Sequence, residues 1–223
     1  MDLKQLIANL AKADFADALG LMVGQGVISV ACLRKRLNTV SLVAMETRPF
    51  DVPPERRVAA VVDFLRGFVG EHEIDSARLC VVLDRRDTFF GHLQLPAAAI
   101  DNLERVVSYE LDRIIPVPAD QLYSGQVARP MGSVGERIAV TIVAGDKQRV
   151  DELQAGLAEA GLVPSSVTAL PVALSDYYAF CRGEQAGTAG IFIASDDGKR
   201  ENMTVAADGM LVSSVRFDPD SED

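Results

Sequence analysis

Chemistry in this chain must start from few side chains: two histidines, His72 and His92, three cysteines, Cys32, Cys80 and Cys181, and the carboxylates. Neither histidine stands in an H-E-x-x-H spacing or near a cysteine pair, so the ligand set of a zinc ion is missing. Glu71-His72-Glu73 brings ligand types together, but directly after Gly70 it reads as an exposed polar loop with weak metal affinity at best. Glu110 and Asp112 are neighbours in sequence yet point to different faces of a helix, so they are not a general acid–base dyad. The sequence has no G-x-S-x-G elbow, no G-x-x-x-x-G-K-[ST] loop and no G-x-G-x-x-G fingerprint. Gly24-Gln25-Gly26 lacks the third glycine and precedes a strand, the wrong context for a dinucleotide. Three widely spaced cysteines, an odd number, read as reduced, mostly buried thiols of a cytosolic protein. These residue types favour binding over catalysis.

The elements that must position such a surface come from a chain of 223 residues, enough for one large domain or two small ones. Hydrophobic residues make up 48%, yet no run approaches the ~20 apolar residues needed to cross a bilayer. The first twenty residues lack the cationic and apolar regions of a signal peptide. A net charge of −10 argues against nucleic acid, which needs clustered Lys and Arg. A protein or a neutral small molecule is the more natural partner, and a cytoplasmic location follows.

Hydrophobic periodicity predicts alternating helices and strands. Residues 3–19 suit a helix with Leu3, Leu6, Ile7 and Leu10 on one face and Gly20 as a stop. Strands Met22–Leu33 and Thr39–Met45 follow, joined by the basic tip Arg34-Lys35-Arg36-Leu37-Asn38, which keeps the edge solvated. Pro53-Pro54 opens a helix with Val58, Val61, Val62, Leu65, Phe68 and Val69 inward, closed by Gly70. Ala77–Leu83 and Thr88–Leu93 read as a strand pair around Asp84–Asp87. The next helix, Leu95–Ile115, lines up Ile100, Leu103, Val107, Leu111 and Ile114, and stops at Pro116-Val117-Pro118. Strands Gln121–Ala128 and Arg137–Ala144 come next, the second apolar on both faces and therefore central. A helix carrying Val150, Leu153 and Leu157 ends at Gly161, a left-handed cap. Strand Leu162–Val167, helix Pro171–Cys181 and a linker at 183–187 precede strands Gly190–Ser195, Met203–Ala207 and Met210–Phe217, with Asp208-Gly209 as a hairpin turn. The acidic tail Asp218–Asp223 is expected to be disordered. The alternation makes the fold class α/β.

The helix end Glu-Leu-Asp-Arg-Ile-Ile-Pro-Val-Pro (110–118), followed by Ala-Asp-Gln-Leu-Tyr, resembles the PilM and GspL families, the actin-like cytoplasmic proteins of type IV pilus assembly and type II secretion. Ala160-Gly161-Leu162-Val163-Pro164 is a second point of likeness. The resemblance covers about Leu21 to Phe217. It implies an actin-like (ribonuclease H-like) lobe with an inserted small α+β subdomain and the start of a second lobe. The corresponding division is an N-terminal helix at 1–20, a first lobe at 21–95, the insert at 96–168, a return helix at 169–182, the second lobe from 188 to 217 and a tail at 218–223. It also implies a longer chain, continuing with the rest of the lobe or with a membrane helix.

Actin-like ATPases hold phosphates on two hairpins, each usually built around Asp-x-Gly: glycine lets the backbone approach and Asp reaches the metal or its water. The first candidate here, Val23-Gly24-Gln25-Gly26, keeps its glycines without a carboxylate. The second, Asp196-Asp197-Gly198, sits displaced from its strand end. Both departures point to vestigial hairpins and to the scaffold role of GspL, with an ATP- and magnesium-binding actin-like protein of the PilM/FtsA kind that assembles in a nucleotide-dependent way as the alternative. The implied partners are the N-terminal region of a motor ATPase and a neighbouring inner-membrane platform protein, met at the cytoplasmic face of the inner membrane. Pro116, Pro118, Tyr123 and Val127 mark the candidate contact surface. An unrelated α/β domain sharing only the Pro-x-Pro helix end is the third reading.

Overall fold

Strand pairing decides where each predicted element goes, and the computed structural model places eleven strands and four helices among residues 17–24, 26–36, 39–74, 77–131, 136–182, 189–196, 199–207 and 210–216, with the backbone alone described at 182, 189, 192–196, 199–203, 206, 207, 210 and 216. Contacts group these into two units, one of Met1–Val82 with Glu152–Val167, the other of Leu83–Asp151 with Thr168–Asp223.

The first unit holds a five-stranded sheet of order β3-β2-β1-β4-β8, from β1 (Asp17–Val23), β2 (Val27–Arg36), β3 (Thr39–Pro49), β4 (Ala77–Leu83) and β8 (Pro164–Ala169). β1, β2 and β3 form antiparallel hairpins. Leu19, Leu21 and Val23 of β1 and Ile28, Val30 and Cys32 of β2 are buried at period two, so one sheet face is core. Helix α1 (Pro54–Glu71) starts with Pro53 as N-cap and Pro54 at N1, as expected, and buries Val61, Val62, Phe64, Leu65 and Phe68. Val58 and Val69 are only half-buried.

Several boundaries differ from the sequence reading. Strand Met22–Leu33 is really two strands folded at Gly24–Gly26, because Val23 pairs with Ile28. The helix expected through residue 19 cannot reach it, since β1 begins at Asp17 and Gly20 lies inside β1; residues 1–16 lie outside the described residues. Gly70 does not end α1. The helix runs one residue further, and the left-handed residue behind it is Glu73 (φ 50°), where the Ile74 N–H donates to the Val69 carbonyl. Gly161 (φ 77°) does hold the left-handed position expected of it: its N–H donates to Ala158 and that of Leu162 to Leu157, closing α3 (Lys147–Glu159) with a Schellman motif.

In the second unit, β5 (Thr88–Pro96), β7 (Arg137–Asp146) and β6 (Leu122–Met131) form a sheet of order β5-β7-β6. The predicted centrality of the Ile138–Ala144 run is therefore observed. β4 and β5 are not a strand pair; they enter different sheets, and a short 3-10 turn, Arg85–Asp87, capped by the Asp84 carboxylate, separates them. The expected Leu95–Ile115 helix is also shorter. Leu95 still pairs with Ile138 in the sheet, residues Ala97–Asn102 form a 3-10 segment, and α2 occupies only Leu103–Ile114. Val107, Leu111 and Ile115 then pack on Leu122, Ile138, Val140, Ile142 and Ala144. Ile100, outside the helix, is 56% exposed. Helix α4 (Leu170–Arg182) and a second antiparallel sheet, β11-β10-β9 (Met210–Arg216, Lys199–Ala207, Ala189–Asp196), complete this unit. The linker at 183–187, the Asp208-Gly209 turn and the tail from Asp218 lie outside the described residues.

Candidate functional site

The first glycine hairpin is the tip between β1 and β2. Two stiff strands bring it together: the Gly24 N–H donates to the Val27 carbonyl at 2.8 Å, and the Phe50 N–H donates to the Gly26 carbonyl at 2.9 Å. Arg57, from the first turns of α1, donates to the Gly24 carbonyl at 2.5 Å, with its guanidinium 5.3 Å over the Phe50 ring. The tip thus carries an arginine held by a carbonyl and an aromatic face, and neither Gly24 nor Gly26 brings a carboxylate. Gln25 lies outside the described residues. Sequence reasoning missed Arg57, because 33 positions separate it from Gly24 and no local pattern links them. At the second hairpin, β9 ends at Asp196, paired with Lys199 of β10. Its side chain and residues Asp197 and Gly198 lie outside the described residues.

The other candidates scatter. His72 meets the Phe68 ring edge-on at 4.6 Å. His92 lies on β5 beside Thr141, its Nδ1 3.4 Å from the hydroxyl, and burial, then Arg129, pushes its pKa down. Among the described residues no group of three His, Cys, Asp or Glu side chains is placed to hold a metal ion. Glu110 pairs with Arg113, whereas the Asp112 carboxylate accepts the Ala119 N–H at 2.8 Å. The cysteines are free thiols, with Cys32 buried, Cys80 half-buried and Cys181 exposed, so burial does not extend to the third.

The four residues proposed for partner contact do not form one patch. Pro116 and Pro118 are exposed on the loop that carries Ile115 and Val117 into the core under α2. Tyr123 and Val127 leave β6 by the opposite sheet face, in register with Gly145 and Thr141. Tyr123 donates to Asp151 at 2.8 Å and lies under Lys147 Nζ, 5.5 Å away. The Asp151 carboxylate, then burial, raises the Tyr123 phenol pKa. On that same face the Thr141 hydroxyl donates to the Leu211 carbonyl of β11, and Arg85 donates to Ser214 while covering the Phe90 ring at 4.5 Å. So β11 reaches β5 and β7, while Tyr123 and Val127 keep 47% and 56% of their surface. On the helix side of β6 lies an open depression of about 720 Å3, lined by Ile100, Asp101, Asn102, Leu103, Glu104, Arg105, Ser108 and Gln126.

A mixed α/β chain with a five-stranded sheet of order β3-β2-β1-β4-β8 opened by a glycine hairpin, and two further three-stranded sheets, has an actin-like fold. Solved structures agree. A chain of the PilM-PilN type IV pilus biogenesis complex superposes with a TM-score of 0.72 at 20% identity, over 89% of this chain and 60% of that one. The cytoplasmic domain of EpsL, an inner membrane component of the type II secretion system of Vibrio cholerae, gives a TM-score of 0.60 at 12% identity, over 90% of this chain and 71% of that one. This likeness shows an actin-like fold, and the chain spans 60% of the length of the first of these structures. No protein-family model and no curated protein matches the chain.

Proposed function

We propose that this chain is the actin-like part of a scaffold in a type II secretion or type IV pilus machine. It acts by binding, tying the N-terminal region of a motor ATPase to an inner-membrane platform protein at the cytoplasmic face of the inner membrane. The observation that carries this reading is the first hairpin. A phosphate-binding hairpin needs a carboxylate for the metal and free backbone N–H donors, whereas neither Gly24 nor Gly26 has a carboxylate beside it and the Gly24 N–H is already donated to the Val27 carbonyl. The fold likeness to the PilM-PilN and EpsL structures supports the machine. Among the described residues no helix is long and apolar enough to cross a membrane, so membrane association in this reading runs through partners or residues outside this chain.

Two measurements test the proposal. Purified chain is mixed with the N-terminal region of the motor ATPase and with the soluble segment of the platform protein encoded beside it, and complex formation is followed by size-exclusion chromatography. Failure to associate with either partner overturns the scaffold. Titration calorimetry with ATP and magnesium is expected to be flat; micromolar affinity, about −8 kcal/mol, would instead establish the ATP-binding alternative.

A further inference from the structure

Among the described residues β6 pairs with β7 alone and is the outer strand of its sheet. Outer strands are normally blunted with lysines, prolines or bulges. β6 has little of this. Its pairing with β7 runs over ten residues without a register shift, Pro130 comes only near the end, and Arg129 is its single charge. Gly125 in the middle has nothing within 4 Å of where a Cβ would stand. Half of the backbone N–H and C=O groups therefore point away from β7, in a straight row.

Both sides of that row are prepared for side chains. On the helix side, the depression places Ile100, Leu103 and Gln126 beside the carboxylates of Asp101 and Glu104. Arg105, also on its rim, lies 5.9 Å over the Tyr109 ring. On the other side, Tyr123 and Val127 stand exposed at alternate positions. We propose that this β6–α2 groove takes up an extended segment of a partner protein as an added strand. The segment carries β-branched or aromatic side chains against Tyr123 and Val127, and lysine or arginine against Asp101 and Glu104. Main-chain bonds supply affinity and the alternation supplies specificity. Cross-strand aromatic and β-branched pairs add to it, and the net charge of −10 steers a cationic segment inward. The inference rests on the binding reading above and names the surface and the partner chemistry for it.

The test uses a fluorescein-labelled octapeptide alternating lysine and valine, added to the whole 223-residue chain labelled with 15N. Saturable binding with amide shifts at Tyr123–Ala128 is expected. Of two peptides N-methylated on either all lysines or all valines, one loses its donors toward β6 and fails to bind, while the other binds as the parent does. Glu104→Lys is expected to weaken the lysine peptide by about tenfold and to favour a glutamate–valine peptide in its place. Equal behaviour of the two N-methylated forms, shifts confined to other residues, or no saturation by about 1 mM overturns the proposal. Partner association that persists unchanged in Val127→Lys removes this groove and leaves the scaffold standing. Patterned peptide binding without any partner association does the reverse.

Discussion

The contact between β5 and the end of α2 sets a demanding test of this packing, at Gly91. A Cβ built on Gly91 would stand 2.5 Å from Ile114 Cγ2 and 3.8 Å from Ile142 Cβ. Carbon atoms prefer about 3.5–4.0 Å, so Gly91→Ala must open the helix–sheet gap by about 1 Å or force Ile114 off its rotamer. Ile114 is β-branched and stiff at χ1, and it is the last residue of α2. Overpacking of this kind costs about 1–3 kcal/mol. Against it, replacing glycine restricts the unfolded chain and returns about 0.4–1 kcal/mol. The net expectation is a destabilisation of about 1–2 kcal/mol. Leucine has no Cγ2, so Ile114→Leu removes the offending methyl; the double variant should recover about 1 kcal/mol or more relative to the sum of the single changes. Hydrogen exchange of the buried amides of Ile138, Val140 and Ile142 reports the stability of this sheet directly. Exchange no faster in Gly91→Ala than in the unmodified protein, or additive single changes, would refute the close approach and with it the placement of α2.

Leu111, 4% exposed in the same core, should cost about 2–5 kcal/mol on truncation to alanine, whereas Asp112→Ala should cost about 0.5–1.5 kcal/mol because it leaves the Ala119 N–H without its acceptor; urea midpoints in the reverse order would overturn the helix register. Glu73→Gly should stabilise by about 0.5–1 kcal/mol, since a left-handed residue behind α1 is strained unless it is glycine, and a lowered melting temperature would contradict this. The Arg34 guanidinium, hydrogen-bonded to Asp17 at 2.7 and 2.5 Å, lowers the Asp17 pKa. A carboxylate with a depressed folded pKa stabilises above its unfolded value and loses that contribution as pH falls through the folded one, so the deficit of Asp17→Asn should be constant near neutrality and shrink below about pH 4. A deficit independent of pH would assign Asp17 a packing role alone.

Long periodic or doubly apolar segments were readable in the sequence. Ile138–Ala144 became the central strand, and Val150, Leu153 and Leu157 became the buried face of α3. Gly161 took its cap because only a residue free of Cβ sits there without strain. What escaped was set by partners distant in the chain. Leu95 and the alanines after it have helical character, but pairing with Ile138 holds Leu95 in β5. The apolar run from Met22 to Leu33 hid a hairpin whose turn is fixed by bonds from Phe50 and Arg57. Likewise β4 and β5 look like a hairpin locally, yet their buried faces belong to separate cores. Of the candidate site, the glycine tip without a carboxylate was visible in the residues, while the split of Pro116 and Pro118 from Tyr123 and Val127 depended on strand register.

The bond from Ala119 back to Asp112 fixes how that register is counted. It closes a loop across seven positions, and closures of about ten residues take only 10–100 ns. The turn can therefore form from α2 alone, before β6 has found β7, and Leu122 then enters the sheet at a set distance from the helix end. Side chains of a strand alternate between faces, so a single residue inserted between Pro118 and Tyr123 would exchange the two rows of β6. Tyr123 and Val127 would turn under α2, and Ser124 and Gln126 would turn outward. Leu122, buried in the core beneath α2, holds the same count from the strand side, because an exchange of rows would bring it out to solvent.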